Sequence, residues 1–124
     1  MGKPSFITLG ALFAFLAVLL GAFGAHALKG SLPEHALTVY QTANDYQMWH
    51  SIGLMLIGVI YAHKPSKLLL KAGWLMTAGI VIFSGSLYAL SLSGIKALGA
   101  ITPIGGVLFL IAWLMLICAS LKSE

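Results

Sequence analysis

Long apolar runs alternate with short polar breaks along this chain, and the length of each run limits what it can be. From Phe6 to Ala25 the chain carries 20 residues without a charge. Further apolar segments fall at about 46–62, 72–92 and 102–121. A bilayer core of about 30 Å takes about 20 helical residues at 1.5 Å each. The pattern predicts an all-α integral membrane protein, a single membrane domain over 1–124. It folds as a compact four-transmembrane-helix bundle with spans at about 6–27, 46–62, 72–92 and 102–121. The first run ends in Ala25, His26 and Ala27, which has the form of a signal-peptidase site. Its length suits a span better than the shorter apolar region of a cleaved signal.

The second segment differs from the others. Its apolar stretch, Trp49 to Ala62, is 14 residues, or about 21 Å of helix. To cross, it must draw Tyr46 and Gln47 into the boundary, or the bilayer must thin. Ser31, Leu32, Pro33 and Glu34 read as a capping box, so this helix is expected to begin at about 32, outside the bilayer. Its first turns carry Leu32, Ala36, Val39, Tyr40 and Ala43 on one stripe, and Glu34, Thr38, Gln41 and Asp45 on another. The segment 93–101 is unusually apolar for a loop and can dip into the interface. Thr102 and Pro103 then read as N-cap and first residue of the last helix, or as a kink within it.

Small residues recur where helices would meet. Gly10, Ala14, Ala17, Gly21 and Gly24 share one face of the first helix; Ala72, Gly79, Ser86 and Ser93 do so in the third, and Gly105, Ala112 and Ala119 in the fourth. Helices associate in lipid by close approach, which small side chains permit, so these stripes predict tight seams and no wide pore.

Composition agrees: 60% of residues are hydrophobic and 8% charged, too few polar groups to cover a water-facing surface. The net charge of +4 comes from seven Lys, no Arg and three acids. It reads as membrane orientation and excludes a nucleic-acid face, which needs a basic patch with interleaved aromatics. Lys3, Lys64, Lys67, Lys71 and Lys122 flank one side, Lys29 and Lys96 the other. The excess predicts N and C termini on the cytoplasmic side. The single Cys118 excludes an intramolecular disulfide.

The candidate chemistry lies in polar groups at membrane depth, where they are costly and raise a functional question by default. His50 has Tyr46 and Gln47 as near-face neighbours, whereas Asp45 points about 140° away around the helix. Thr77, Ser84, Tyr88 and Ser91 form a polar stripe on the third helix, His26 stands at the outer end of the first, and Thr102 opens the fourth. The candidate cluster is therefore His26, Tyr46, Gln47, His50, Ser84, Tyr88 and Thr102. Its simplest reading is interhelical hydrogen bonding that fixes register. A second reading makes His50 a proton relay in a small transporter or proton-coupled carrier. A third has His26 and His50 ligate haem or a metal, although no further ligand motif accompanies them. His35 and His63 carry no signal. No nucleophile–base set, phosphate loop or paired carboxylate appears in the sequence, so no enzyme activity, resident metal or cofactor is expected.

Four ordered runs carry a family resemblance: residues 21–28 (Gly21 to Leu28), 46–50 (Tyr46 to His50), 83–88 (Phe83 to Tyr88) and 98–106 (Leu98 to Gly106). Together they resemble the bacterial family known as domain of unknown function 423, also catalogued as uncharacterised protein family 0382, with eukaryotic relatives such as transmembrane protein 256. The family pattern has His at the positions of His26 and His50, and Tyr-Gln at Tyr46 and Gln47. Asp45 departs from it, which marks that residue as incidental. The resemblance implies a four-span protein of the bacterial cytoplasmic (inner) membrane and implies no activity. The expectation is a non-enzymatic interaction or membrane-maintenance protein, in contact with membrane lipids and not with nucleic acid, with a homo-oligomer or a membrane-protein partner as open alternatives. Small multidrug transporters match in size only, because they use a Glu buried in the first span and the first helix here has no acid.

Overall fold

The computed structural model describes residues 5–122; Lys3, counted above for orientation, lies outside them. Among these residues there is no strand. Helix α1 is Phe6–Phe23 and runs into a wider π turn, Gly24–Leu28. Helix α2 is Glu34–His63. Helix α3, Lys67–Gly79, continues through a second π turn, Ile80–Ser84, into α4, Gly85–Ser93, so that the three make one rod. A short 3₁₀ turn, Lys96–Ala100, leads into α5, Thr102–Lys122.

The helix ends have local causes. The Ser5 hydroxyl accepts from the Thr8 amide at 3.3 Å and opens α1, and Ser66 accepts from the Leu69 amide at 3.1 Å and opens α3. Each satisfies one of the amides that a helix N-terminus leaves without an intrahelical partner. Helix α4 stops at Gly94, whose φ of 74° is left-handed, a conformation that glycine adopts without steric cost.

Two local expectations fail. The capping box does not form: α2 starts at Glu34 with Pro33 at the cap position and no side-chain cap. The Ser31 hydroxyl instead donates to the Ala27 carbonyl at 3.2 Å. The connection is so tight that the Leu28 carbonyl accepts from the amides of Gly30, Ser31 and Leu32, which folds Ser31 back over the end of the preceding helix. Thr102 does not stand outside its helix as a cap either. Helix α5 already includes it, and its hydroxyl pairs with that of Ser86. The apolar segment before it is ordered as the 3₁₀ turn.

Helix α2 is the hub. It packs along α1, against α3 and α4, and against both π turns. It also meets α5 where the His50 ring lies 3.6 Å from that of Phe109. The small residues do form the seams. A Cβ at Gly10 would stand 2.7 Å from the Ser51 carbonyl oxygen, and one at Gly105 would stand 2.5 Å from the Phe83 backbone nitrogen. One half of the bundle closes on an apolar core of Phe6, Leu54, Ile57, Leu69, Met76 and Phe109. Outward faces are apolar as well: Phe15 is 64% exposed, and Leu110 and Leu121 are each 70% exposed. Such surfaces suit lipid and not water. Among the described residues three helical segments, Phe6–Leu28, Lys67–Ser93 and Lys96–Lys122, are long and apolar enough to cross a membrane.

Candidate functional site: a polar seam between helices

The other half of the bundle is held by polar side chains, most of them on α2. Tyr40, Asn44, Gln47 and Ser51 recur at intervals of four, three and four, which places them on one face. That face lies on the small-residue stripe of α1, whose carbonyls are within reach because no bulky side chain intervenes. The Tyr40 hydroxyl donates to the Leu20 carbonyl at 2.6 Å, the Asn44 amide to Ala17 at 2.7 Å, and the Gln47 amide to Phe13 at 2.9 Å. Numbers fall on α1 as they rise on α2, so the two helices are antiparallel and locked in register at three successive turns. A carbonyl has two lone pairs, so each can accept a side-chain bond beside its helical one.

Helix α4 closes the network. The Tyr88 hydroxyl donates to Gln47 Oε1 at 2.6 Å and accepts from Asn44 Nδ2 at 3.1 Å. One turn along, the Ser84 hydroxyl donates to the Ala43 carbonyl at 2.7 Å. Ser84 ends the second π turn, a widened turn of the kind often found where a helix presents a residue out of regular phase. Among the described residues, every buried side-chain nitrogen or oxygen has a hydrogen-bond partner. The network is thus complete within one chain.

The sequence-derived cluster divides into three groups and one separate residue, His26. Gln47, Ser84 and Tyr88 belong to the seam. Thr102 pairs with Ser86 across α4 and α5. Tyr46 and His50 instead form an aromatic stack toward α5. The His50 ring lies nearly parallel to Phe109, at 13°, and its Nδ1 is 2.8 Å from the Tyr46 carbonyl of its own helix. Because a carbonyl only accepts, Nδ1 carries the proton in this bond. The bond of His50 is thus to its own helix and does not join it to Gln47, Ser84, Tyr88 or Thr102. Tyr46 packs on Phe83 with ring centroids 4.5 Å apart.

His26 joins none of these groups. It is exposed on the π turn that ends the first rod. Taking Phe13 and Gln47 as level, the axial distance from His26 to His50 is about 24 Å at 1.5 Å per residue. One metal ion or haem iron cannot bridge that distance, so the paired-His ligand set is corrected here. Among the described residues no group of three His, Cys, Asp or Glu side chains is placed to hold a metal ion. Asn44 and Tyr40 are the members that the sequence reading missed. Asp45, their neighbour, is exposed as expected.

What the fold and the seam define is a helical membrane protein: lipid-compatible outside, cross-linked inside by side chains bonded to backbone carbonyls. The chain belongs to the family described as "Protein of unknown function (DUF423)", whose model matches residues 20–106. It is 56% identical over 117 residues to a UPF0382 membrane protein of Staphylococcus aureus (strain bovine RF122 / ET3-1), covering 94% of this chain and 95% of that one. It is 53% identical over 119 residues to UPF0382 membrane protein YwdK of Bacillus subtilis (strain 168), covering 94% and 96%. No solved structure matches it.

Proposed function

We propose that this protein is a four-span, non-enzymatic element of the bacterial cytoplasmic membrane, with both termini on the cytoplasmic side, acting through interaction or membrane maintenance. The observation that carries this reading is the closure of the polar seam. Its amides and hydroxyls are engaged with α1 carbonyls and with one another, which is what a register-fixing device requires. A carrier site would keep such groups turned toward a ligand. The fourth span in this reading is α2. Within the stretch 40–51 Tyr40, Asn44, Gln47, His50 and Ser51 turn inward, while Trp49, Ile52, Leu56, Val59 and Ile60 form an exposed apolar stripe at helical spacing. At 30 residues the helix is long enough, about 45 Å.

Two measurements test the proposal. In intact cells, Lys67→Cys is expected to resist an impermeant thiol reagent and Lys29→Cys to react; equal labelling would mean dual insertion and sink the orientation. Reconstituted in liposomes, the protein is expected to dissipate an imposed pH gradient no faster than empty vesicles. A proton flux abolished by Gln47→Leu would establish the carrier reading instead.

A further inference from the structure

At the lysine-rich end of the bundle, away from the polar seam, the ends of α2, α3 and α5 enclose a cavity of about 580 Å³. Its wall is apolar, formed by Ile60, Leu69 and Leu116, and its rim carries Lys64, Lys67 and Lys122. Among the described residues no acid lines it; Glu34 lies at the opposite end of α2, and Asp45 more than three turns from the rim. Ser66 and the first turn of α3 also face it. By position, the amides of Lys67 and Leu68 lack an intrahelical acceptor, so they add donors and the positive end of a helix dipole to the lysines.

We propose that this cavity is a binding site for an anionic phospholipid, its phosphate held at the rim by Lys67 and Lys122 and an acyl chain lying against the apolar wall. Three features converge on that ligand class. Cations cluster where the helices leave the bilayer, the place at which a lipid phosphate sits. Lysine stems run along apolar surface while their ammonium groups reach the headgroup level. The wall continues onto the lipid-facing surface of α5, where Ile117 is 55% exposed, so a chain can enter sideways from the bilayer. A free phosphate ion would use the rim but leave the wall without a partner. The site rests on neither the proposed orientation nor the seam.

The test uses the full chain in phosphatidylcholine nanodiscs doped with spin-labelled phosphatidylglycerol or spin-labelled phosphatidylcholine, reading the immobilised fraction of each. Phosphatidylglycerol is expected to be preferred. Each rim lysine is expected to contribute about fivefold to affinity, the equivalent of about 1 kcal/mol per cation near an anionic surface. Lys67→Gln with Lys122→Gln should then weaken the preference about twenty-fivefold, while helix content and thermal midpoint stay unchanged. Ala119→Trp, which fills the cavity and removes no charge, should also abolish it. Lys29→Gln with Lys96→Gln, the same charge loss at the other end, should not. Equal loss in that control would reduce the effect to diffuse surface charge and overturn the site. Displacement of the labelled lipid by millimolar inorganic phosphate would assign the rim to a free anion, and would overturn the lipid assignment. Retained preference in Ala119→Trp would show that the cavity is not used.

Discussion

Tyr88→Phe isolates what the polar seam contributes. The substitution keeps the ring and its edge contact with Tyr40, at 5.1 Å, and deletes only a hydroxyl. That hydroxyl makes two bonds, to Gln47 Oε1 and from Asn44 Nδ2. Asn44 keeps the Ala17 carbonyl, but Gln47 Oε1 is stranded on a side chain that is 4% exposed. Interhelical hydrogen bonds in membranes average about 0.6 kcal/mol each, and a stranded buried acceptor costs about 1–3 kcal/mol more. The expected loss is about 1–2 kcal/mol, less than the simple sum of these terms, because the unfolded chain in a membrane also finds partners. Gln47→Leu should cost a similar amount, since it leaves the Tyr88 hydroxyl without its acceptor while the Phe13 carbonyl retains its helical bond. The double variant removes both ends of one bond and strands neither, so it should be less destabilised than the sum of the singles by about 1 kcal/mol. Equilibrium unfolding in bicelles, followed by circular dichroism across a denaturing-detergent titration, measures all four corners of the cycle. A cycle that closes to within about 0.3 kcal/mol would refute the reasoning, because the two side chains would then not be energetically joined.

Three further outcomes follow from the same geometry. Gly10→Ala should destabilise the bundle by about 1–3 kcal/mol, because its Cβ would meet the Ser51 backbone oxygen at 2.7 Å; Gly85→Ala, with nothing within 4 Å, should stabilise it by about 0.5–1 kcal/mol. His50→Leu should be tolerated within about 1 kcal/mol, since it keeps volume against Phe109 and gives up one bond to a carbonyl already in a helix, whereas His50→Ala should cost about 2–4 kcal/mol by opening a cavity; thermal unfolding of the pair separates packing from polarity. Gently purified protein should show no Soret band, and a band lost in both His26→Ala and His50→Ala would contradict the separation of those residues.

Much of the fold is legible because the bilayer leaves little choice: apolar runs of about 20 residues must be helices whose backbone groups are satisfied internally. The small-residue stripes are legible for the same reason, and Gly10, Gly24 and Gly105 do lie where helices touch. Tyr88, Ser84 and Gln47 can be found from the polar spacing on their helices. Asn44 and Tyr40 escaped because the first turns of α2 read as two stripes, one apolar with Tyr40 in it and one polar without Asn44. The missing signal was the match between two spacings: four, three, four from Tyr40 to Ser51, and four, three, four, three from Gly10 to Gly24. Antiparallel helices with matched spacings set side-chain donors over carbonyls. His26 was misplaced for a different reason. The register that pairs Phe13 with Gln47 puts His26 about 24 Å along the axis from His50 at 1.5 Å per residue, and that register is set by side-chain bonds to α1 carbonyls, not by the local sequence around His26.

The same physics explains why the most central helix is the least apolar. In water a hub helix would be the most hydrophobic one, since burial of apolar surface drives folding. In lipid that drive is absent between helices, and association depends on close packing and on polar bonds that lipid cannot replace. A helix wrapped by others can therefore carry Tyr40, Asn44, Gln47, His50 and Ser51 inward, while α1 and α5, with lipid on their outer faces, carry Phe15, Val18, Leu110 and Leu114 outward. Average hydropathy selects the rim of the bundle and passes over its hub: among the described residues, the three segments apolar enough to cross exclude α2, which packs against α1, α3 and α4 and meets α5 at His50. The polarity that weakens the crossing signal of α2 is what ties it to α1 and α4 inside the bundle.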